Sequence, residues 1–173
     1  FFGSELASRI RKDYGGAAVV CANNVFAHAD DLADIVRGIR DVLADDGVFV
    51  FEVSYLVDIV DKYLFDTVYH EHVSYHSIAP LAKFFERMGM QWIDVQRIAS
   101  KGGSIRGFAQ RLPEGKRPVQ PIVGDLIATE RSRGFDRLLE SGKRSSRRAT
   151  HRSPTPRSRS RHRCRHVDVP PRP

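Results

Sequence analysis

The sequence is poor in features that mark several protein classes. It has two cysteines in 173 residues, Cys21 and Cys164, too few and too differently placed for a disulfide framework. No apolar run reaches the roughly eighteen residues that a membrane-spanning helix needs. No leader opens the chain, and Phe1-Phe2-Gly3 lacks even an initiator methionine. Together these absences predict a reducing, cytoplasmic setting and a fragment of a longer chain. Further His or Cys at zinc-ligand spacing are missing as well. The nearest cysteine to the histidines that follow Tyr69 is Cys21, so no metal is expected there.

Acidic residues are almost absent from one part of the chain. Residues 143–173 hold eleven of the 28 Lys/Arg residues and a single acid, Asp168. The first 142 residues carry the other 17 basic and 20 acidic residues, so the net charge of +7 describes neither part. A mildly acidic body is followed by an Arg/Ser/His/Pro-rich tail without apolar periodicity, which is expected to be disordered. Such a tail could bind nucleic acid non-specifically through counterion release, although it lacks interleaved aromatics for base stacking. The abrupt change of composition also fits a frameshift in a GC-rich coding sequence.

What is abundant is chemistry in one short stretch. Residues 66–77 read DTVYHEHVSYHS, with three histidines (His70, His72, His76), two tyrosines (Tyr69, Tyr75), Glu71 and Asp66. A histidine there can offer a neutral imidazole near pH 7, with a carboxylate at hand to orient it. The tyrosines add donors suited to a developing oxyanion. A surface His/Tyr patch is the bland alternative.

Taken in order, the chain reads as α/β. A short helix is predicted over Ser4–Tyr14, and residues 17–22 (AAVVCA) form an apolar run expected of a strand buried on both faces of a parallel sheet. Asn24 and His28 follow the strand end, where α/β folds collect ligands; equally, Asn24 could cap the turn and His28 face solvent. Residues 29–44 are strongly amphipathic, with Asp30 and Asp31 suited to the first turn of a helix. Residues 48–53 form a second apolar strand, completing a strand–helix–strand unit. Glu52 at its end reads as a solvated edge carboxylate. Helices over 55–64 and 77–88 come next, the latter with a core stripe of Leu81, Phe84, Phe85 and Met88. Strands over Met90–Ile98 and 104–110, joined by a Gly-Gly turn, predict an antiparallel hairpin. Arg106 could bind a phosphate or form a cross-strand ion pair. Residues 113–121 read as a linker, and 122–140 as a weakly periodic helix.

YHEH at 69–72, Ser74-Tyr75, GGSIR at 102–106 and NNVFAH at 23–28 resemble, in order and spacing, the SAM-dependent C-methyltransferases that act on nucleotide-linked keto-deoxysugars. The resemblance runs from Phe2 to about Gln110. It implies the carboxyl half of a Rossmann-like class I methyltransferase sheet with a terminal antiparallel hairpin. The expected organisation is a partial methyltransferase domain over 1–112, a linker and the start of a further domain over 113–142, and the tail. It also implies S-adenosyl-L-methionine as cofactor, a nucleotide-sugar substrate in deoxysugar biosynthesis, and methyl transfer to C-3 of a 4-keto-deoxyhexose. By position, His72 is the expected base, Glu71 its neighbour in acid/base work and Tyr69 a hydroxyl at the sugar, while Asn24, His28 and Arg106 contact substrate. The family's zinc-binding domain, glycine-rich SAM turn and ribose-binding acid have no counterpart in these residues, so the 173-residue chain alone is expected to bind SAM poorly.

Overall fold

Helix α1 (Ser4–Tyr14) occupies the residues that its spacing predicts and buries Ala7 against the next helix. That helix, α2 (Leu32–Val42), starts later than its amphipathic pattern, because the Asp31 carboxylate accepts the Asp34 N–H at 2.8 Å and sets the first turn there. A hydroxyl–carboxylate bond of 2.6 Å from Ser4 to Asp34 ties the two helices together. The Ser4 bond, more than the nearby Arg37, holds the Asp34 carboxyl below the usual carboxylate range.

The computed structural model describes residues 2–135, which lie within one compact unit, Phe1–Leu139. The basic tail, and the end of the helix expected over 122–140, fall outside the described residues. Strands β1 (Ala17–Asn23) and β2 (Leu43–Ser54) pair in parallel on either side of α2, as the strand–helix–strand pattern predicts. The register jumps between Ala17/Leu43 and Val19/Val48, so the segment holding Asp45-Asp46-Gly47 bulges out of the ladder. After the short α3 (Leu56–Asp61) come α4 (Ile78–Arg87), β3 (Met90–Ile98), β4 (Ser104–Arg111) and α5 (Pro121–Ser132). The β3–β4 hairpin is antiparallel, and β4 inserts between β2 and β3 to give the order β1-β2-β4-β3. A parallel pair extended by an antiparallel hairpin is the sheet that the resemblance implies.

Two expectations are corrected. β1 is the edge of the sheet and is buried on one face only. Val20 and Ala22 align with Phe49 and Phe51 on the packed side, whereas Val19 is 57 % exposed and Cys21 is exposed on the other. An apolar run reports that a strand avoids water, not which of its faces is covered. Glu52 is not a solvated edge carboxylate either: β2 is an inner strand, and Glu52 is 7 % exposed and paired with Arg106 directly across from it.

The packed face carries an aromatic cluster. Phe26 stacks on Phe51 at 5.4 Å, and Phe49, Phe85 and Trp92 close around them at 5.1–6.2 Å. Ile39 of α2, Ile78 and Leu81 of α4 and Val123 of α5 complete this core. Gly107, opposite Phe51 in the register, makes room for the cluster. A Cβ there would collide with the Phe51 ring and come within 2.8 Å of Trp92. Gly107→Val should therefore destabilise the fold by about 1–3 kcal/mol, the usual range for overpacking. A urea denaturation midpoint equal to that of the parent would contradict this packing.

Candidate functional site

The site is assembled where the two parallel strands end. Asn24 leaves β1 in the left-handed region (φ 56°), which asparagine tolerates better than most residues, and its N–H donates to the Glu52 carbonyl at 2.7 Å. The chain then makes one tight turn, Phe26–His28. Phe26 is fully buried, so its ring fixes the turn on the sheet while His28, two residues on, stays exposed.

The same turn holds the histidine-rich stretch. The Ala27 carbonyl accepts from the N–H groups of Val73 (2.8 Å) and Ser74 (3.3 Å), and the Ser74 hydroxyl lies 3.3 Å from the Phe26 carbonyl. This stitching brings the His28 and His72 rings to 4.8 Å between centroids. His28 Nδ1 lies 3.0 Å from the Glu71 carbonyl, and His72 Nδ1 lies 2.8 Å from the Thr67 carbonyl. A carbonyl only accepts, so both rings carry a proton on Nδ1 and, when neutral, present Nε2 as the basic nitrogen. On His72 that nitrogen sits 3.0 Å from the Tyr69 hydroxyl, whose ring packs at 4.2 Å. His28 Nε2 has no partner among the described residues.

The GGSIR turn supports this arrangement from below. The Gly103 carbonyl accepts the Tyr55 N–H at 3.1 Å and the Gly102 carbonyl accepts Lys62 Nζ at 2.5 Å, which fixes the segment leading into the histidine stretch. Three sequence motifs distant in the chain thus converge on one end of the sheet.

Of the residues singled out from the sequence, His28, Tyr69 and His72 come together, and Asn24 lines the same cleft as His28. Glu71 joins them through its backbone: its carbonyl orients His28, while its carboxylate is exposed and makes no hydrogen bond among the described residues. The imidazoles are oriented by carbonyls, not by a carboxylate. His70 is exposed, with an edge contact to Tyr69 at 6.4 Å and no hydrogen bond among the described residues. Arg106 lies on the opposite sheet face, where Nη2 meets the Glu52 carboxylate at 3.1 Å. That is the cross-strand pair that the sequence left open, and breaking it would leave a nearly buried carboxylate alone. Among the described residues, no group of three His, Cys, Asp or Glu side chains is placed to hold a metal ion. No described helix is long and apolar enough to cross a membrane.

A cleft of about 770 Å³ opens beside Asn24 and His28, along the β1 edge. Val20, Ala22, Val25 and Ile35 give it an apolar wall, and Asp30, Asp31 and Asp34 an acidic rim. Apolar walls with a few converging polar groups are typical of small-molecule sites.

Sequence reasoning passed over His76, which is 8 % exposed and has Nε2 3.1 Å from the Ser74 hydroxyl. Burial pushes its pKa below the ordinary 6.5, partly offset by a hydrogen bond to the Phe26 backbone. The unfolded chain therefore takes up a proton near pH 6.5 that the folded chain refuses. Stability is full above that pH and is lost as the pH falls from 6.5 towards the folded pKa. The urea midpoint should drop between pH 7.5 and pH 5.5, and His76→Asn should remove much of the drop; a variant that keeps the whole pH dependence would assign it elsewhere.

No protein-family model matches the chain. Over 134 residues it is 37 % identical to C-methyltransferase NovU of Streptomyces niveus, an alignment covering 78 % of this chain and 32 % of that protein. The chain thus spans about a third of the length of the curated relative that it matches. Among solved structures, a SAM-dependent methyltransferase from Anabaena variabilis aligns over 63 % of this chain and 55 % of its own, with 10 % identity and a TM-score of 0.48. Magnesium protoporphyrin IX methyltransferase from Synechocystis, with bound SAH, aligns over 57 % and 47 %, with 15 % identity and a TM-score of 0.42.

Proposed function

The chain belongs to the SAM-dependent C-methyltransferase family, and on that premise we propose that it transfers the SAM methyl group to C-3 of a nucleotide-linked 4-keto-deoxyhexose. The observation that carries this reading is the cluster of His28, His72 and Tyr69 beside the cleft that Asn24 and His28 line. A carbon next to a carbonyl is weakly acidic, so alkylating it needs a base at the C–H and donors at the oxygen. The site offers both.

The cleft offers part of what the cofactor needs, without the glycine-rich turn and ribose-binding acid that the family supplies elsewhere. Its apolar wall matches an adenosine and its aspartate rim a sulfonium cation, with Asp30 free of partners among the described residues. Val20, Ala22, Val25 and Asp30 are the residues that would hold it. When bound, SAM would supply the electrophilic methyl carbon and leave as S-adenosylhomocysteine.

His72 takes the C-3 proton at Nε2. As the C–H bond breaks, its electron pair moves into the enolate, and negative charge gathers on the C-4 oxygen. The Thr67 carbonyl on Nδ1–H keeps the ring in the tautomer that leaves Nε2 basic and stabilises the imidazolium that forms. The Tyr69 hydroxyl, resting on Nε2, has only to turn towards the substrate to donate to the developing oxyanion. The Asn24 amide is a second donor at the sugar, and His28 a polar wall beside it. Arg106 meets the substrate's phosphates only by leaving Glu52, so its contribution should be the smallest of the set.

His72→Asn should lower kcat about 10²–10⁴-fold with substrate affinity nearly unchanged, because a lost base acts on the transition state. His70→Asn, at an exposed ring without a hydrogen bond among the described residues, should leave kcat within about twofold. Exchange of the sugar's C-3 proton with deuterated solvent isolates the base step. Unimpaired exchange in His72→Asn alongside impaired exchange in His28→Asn would move the base to the other imidazole; unimpaired exchange in both would refute the reaction class.

A further inference from the structure

Glu130 of α5 is the most deeply buried carboxylate among the described residues, 1 % exposed, and no basic side chain pairs with it there. Three donors solvate it instead. Oε1 accepts the Tyr55 hydroxyl at 2.9 Å and the Ile78 N–H at 2.7 Å, and Oε2 accepts the Ala79 N–H at 2.8 Å. Ile78 and Ala79 are the first residues of α4, whose unpaired amides and positive dipole end favour an anion. The carboxylate is therefore well satisfied, but only while α4 begins where it does.

Its partners border the histidine stretch on both sides. Tyr55 forms an isolated bridge with His76, and the Leu56 N–H donates to the His76 carbonyl at 2.9 Å. Glu130 thus fixes Tyr55, which holds His76 through the backbone, and also fixes Ile78, two residues after His76. One residue before His76, the Tyr75 hydroxyl donates to the Thr67 carbonyl at 3.4 Å. That same carbonyl sets the proton on His72 Nδ1. A continuous set of contacts therefore runs from α5 to the imidazole.

We propose that Glu130 is a positioning residue for the imidazole site, clamping the carboxyl end of the histidine stretch so that the Thr67 carbonyl holds His72 in its Nδ1–H tautomer. For its effect on turnover the inference rests on the reaction proposed above; for the state of His72 it does not. A Gln at this position keeps one acceptor but turns an NH₂ group towards N–H donors, so it is not a neutral replacement. A purely structural Glu130 would stabilise the fold and leave the His72 ring nitrogens as they are.

The test is nitrogen NMR of the full 173-residue chain labelled with ¹⁵N-histidine, near pH 7.5. In the parent, His72 should show a protonated Nδ1 and an unprotonated Nε2. In Glu130→Gln the two signals should move towards each other as the tautomers average, and Tyr55→Phe, which removes one donor of three, should move them less in the same direction. In the active enzyme, Glu130→Gln should lower the kcat for C-3 proton exchange about 10²-fold with little change in KM, as expected of a base displaced by about an ångström. Unshifted His72 nitrogens in a folded Glu130→Gln protein overturn the proposal. If that variant does not fold, unshifted nitrogens in Tyr55→Phe overturn it. Absence of exchange in the parent refutes the reaction and leaves the nitrogen signals to decide on Glu130.

Discussion

The site depends on one buried ring. Phe26 stacks on Phe51 and packs against Phe49 and Phe85, in contacts that hold the turn after β1 rigidly to the sheet. Its own carbonyl and that of Ala27 then bind the stretch that carries Tyr69 and His72. Removing a buried phenylalanine costs about 3–5 kcal/mol in a typical core. Here the same loss would also free His28 and the Val73–Ser74 backbone together, so packing and chemistry share a single anchor.

Around that anchor, main-chain carbonyls do the orienting. Glu71, Thr67, Phe26 and Ala27 all contribute carbonyl oxygens, and the two imidazoles take their tautomers from the first two. A carbonyl cannot titrate, so the orientation it imposes on a ring holds across the pH range in which histidine changes charge. A carboxylate partner would instead favour the imidazolium. This choice turns Nδ1 of both rings to a carbonyl and leaves Nε2 facing the Tyr69 hydroxyl on His72 and without a partner among the described residues on His28.

The carboxylates buried beneath the site are each held by at least one partner far away in sequence. Glu130 reaches Tyr55 and the start of α4, Glu52 reaches Arg106, and Asp58 is held by Arg97 and Lys62. Burial raises the Tyr55 hydroxyl above its ordinary pKa, and the neighbouring Glu130 carboxylate adds to the shift, so the phenol stays protonated and remains a donor to that carboxylate. An unpaired group at any of these positions would carry its full desolvation cost. They therefore fix the relative placement of α3, α4 and α5 more strictly than apolar contacts would.

The sequence by itself determined the principal helices and strands and marked the stretch on which the candidate site is built. Helix and strand periods arise from local contacts, which is why Ser4–Tyr14 and Met90–Ile98 are read to the residue. The density of histidine and tyrosine in residues 66–77, and the motifs around it, marked Tyr69 and His72 without any structure. Only the tertiary structure decided which face of β1 is covered, because apolar composition cannot name a neighbour. It also decided that Glu71 acts through its carbonyl, since a residue's letter carries no information about its backbone. Glu130 was illegible for the same reason: in a weakly amphipathic helix its charge looks like any surface acid, and its importance comes entirely from three donors that lie 51–75 residues away.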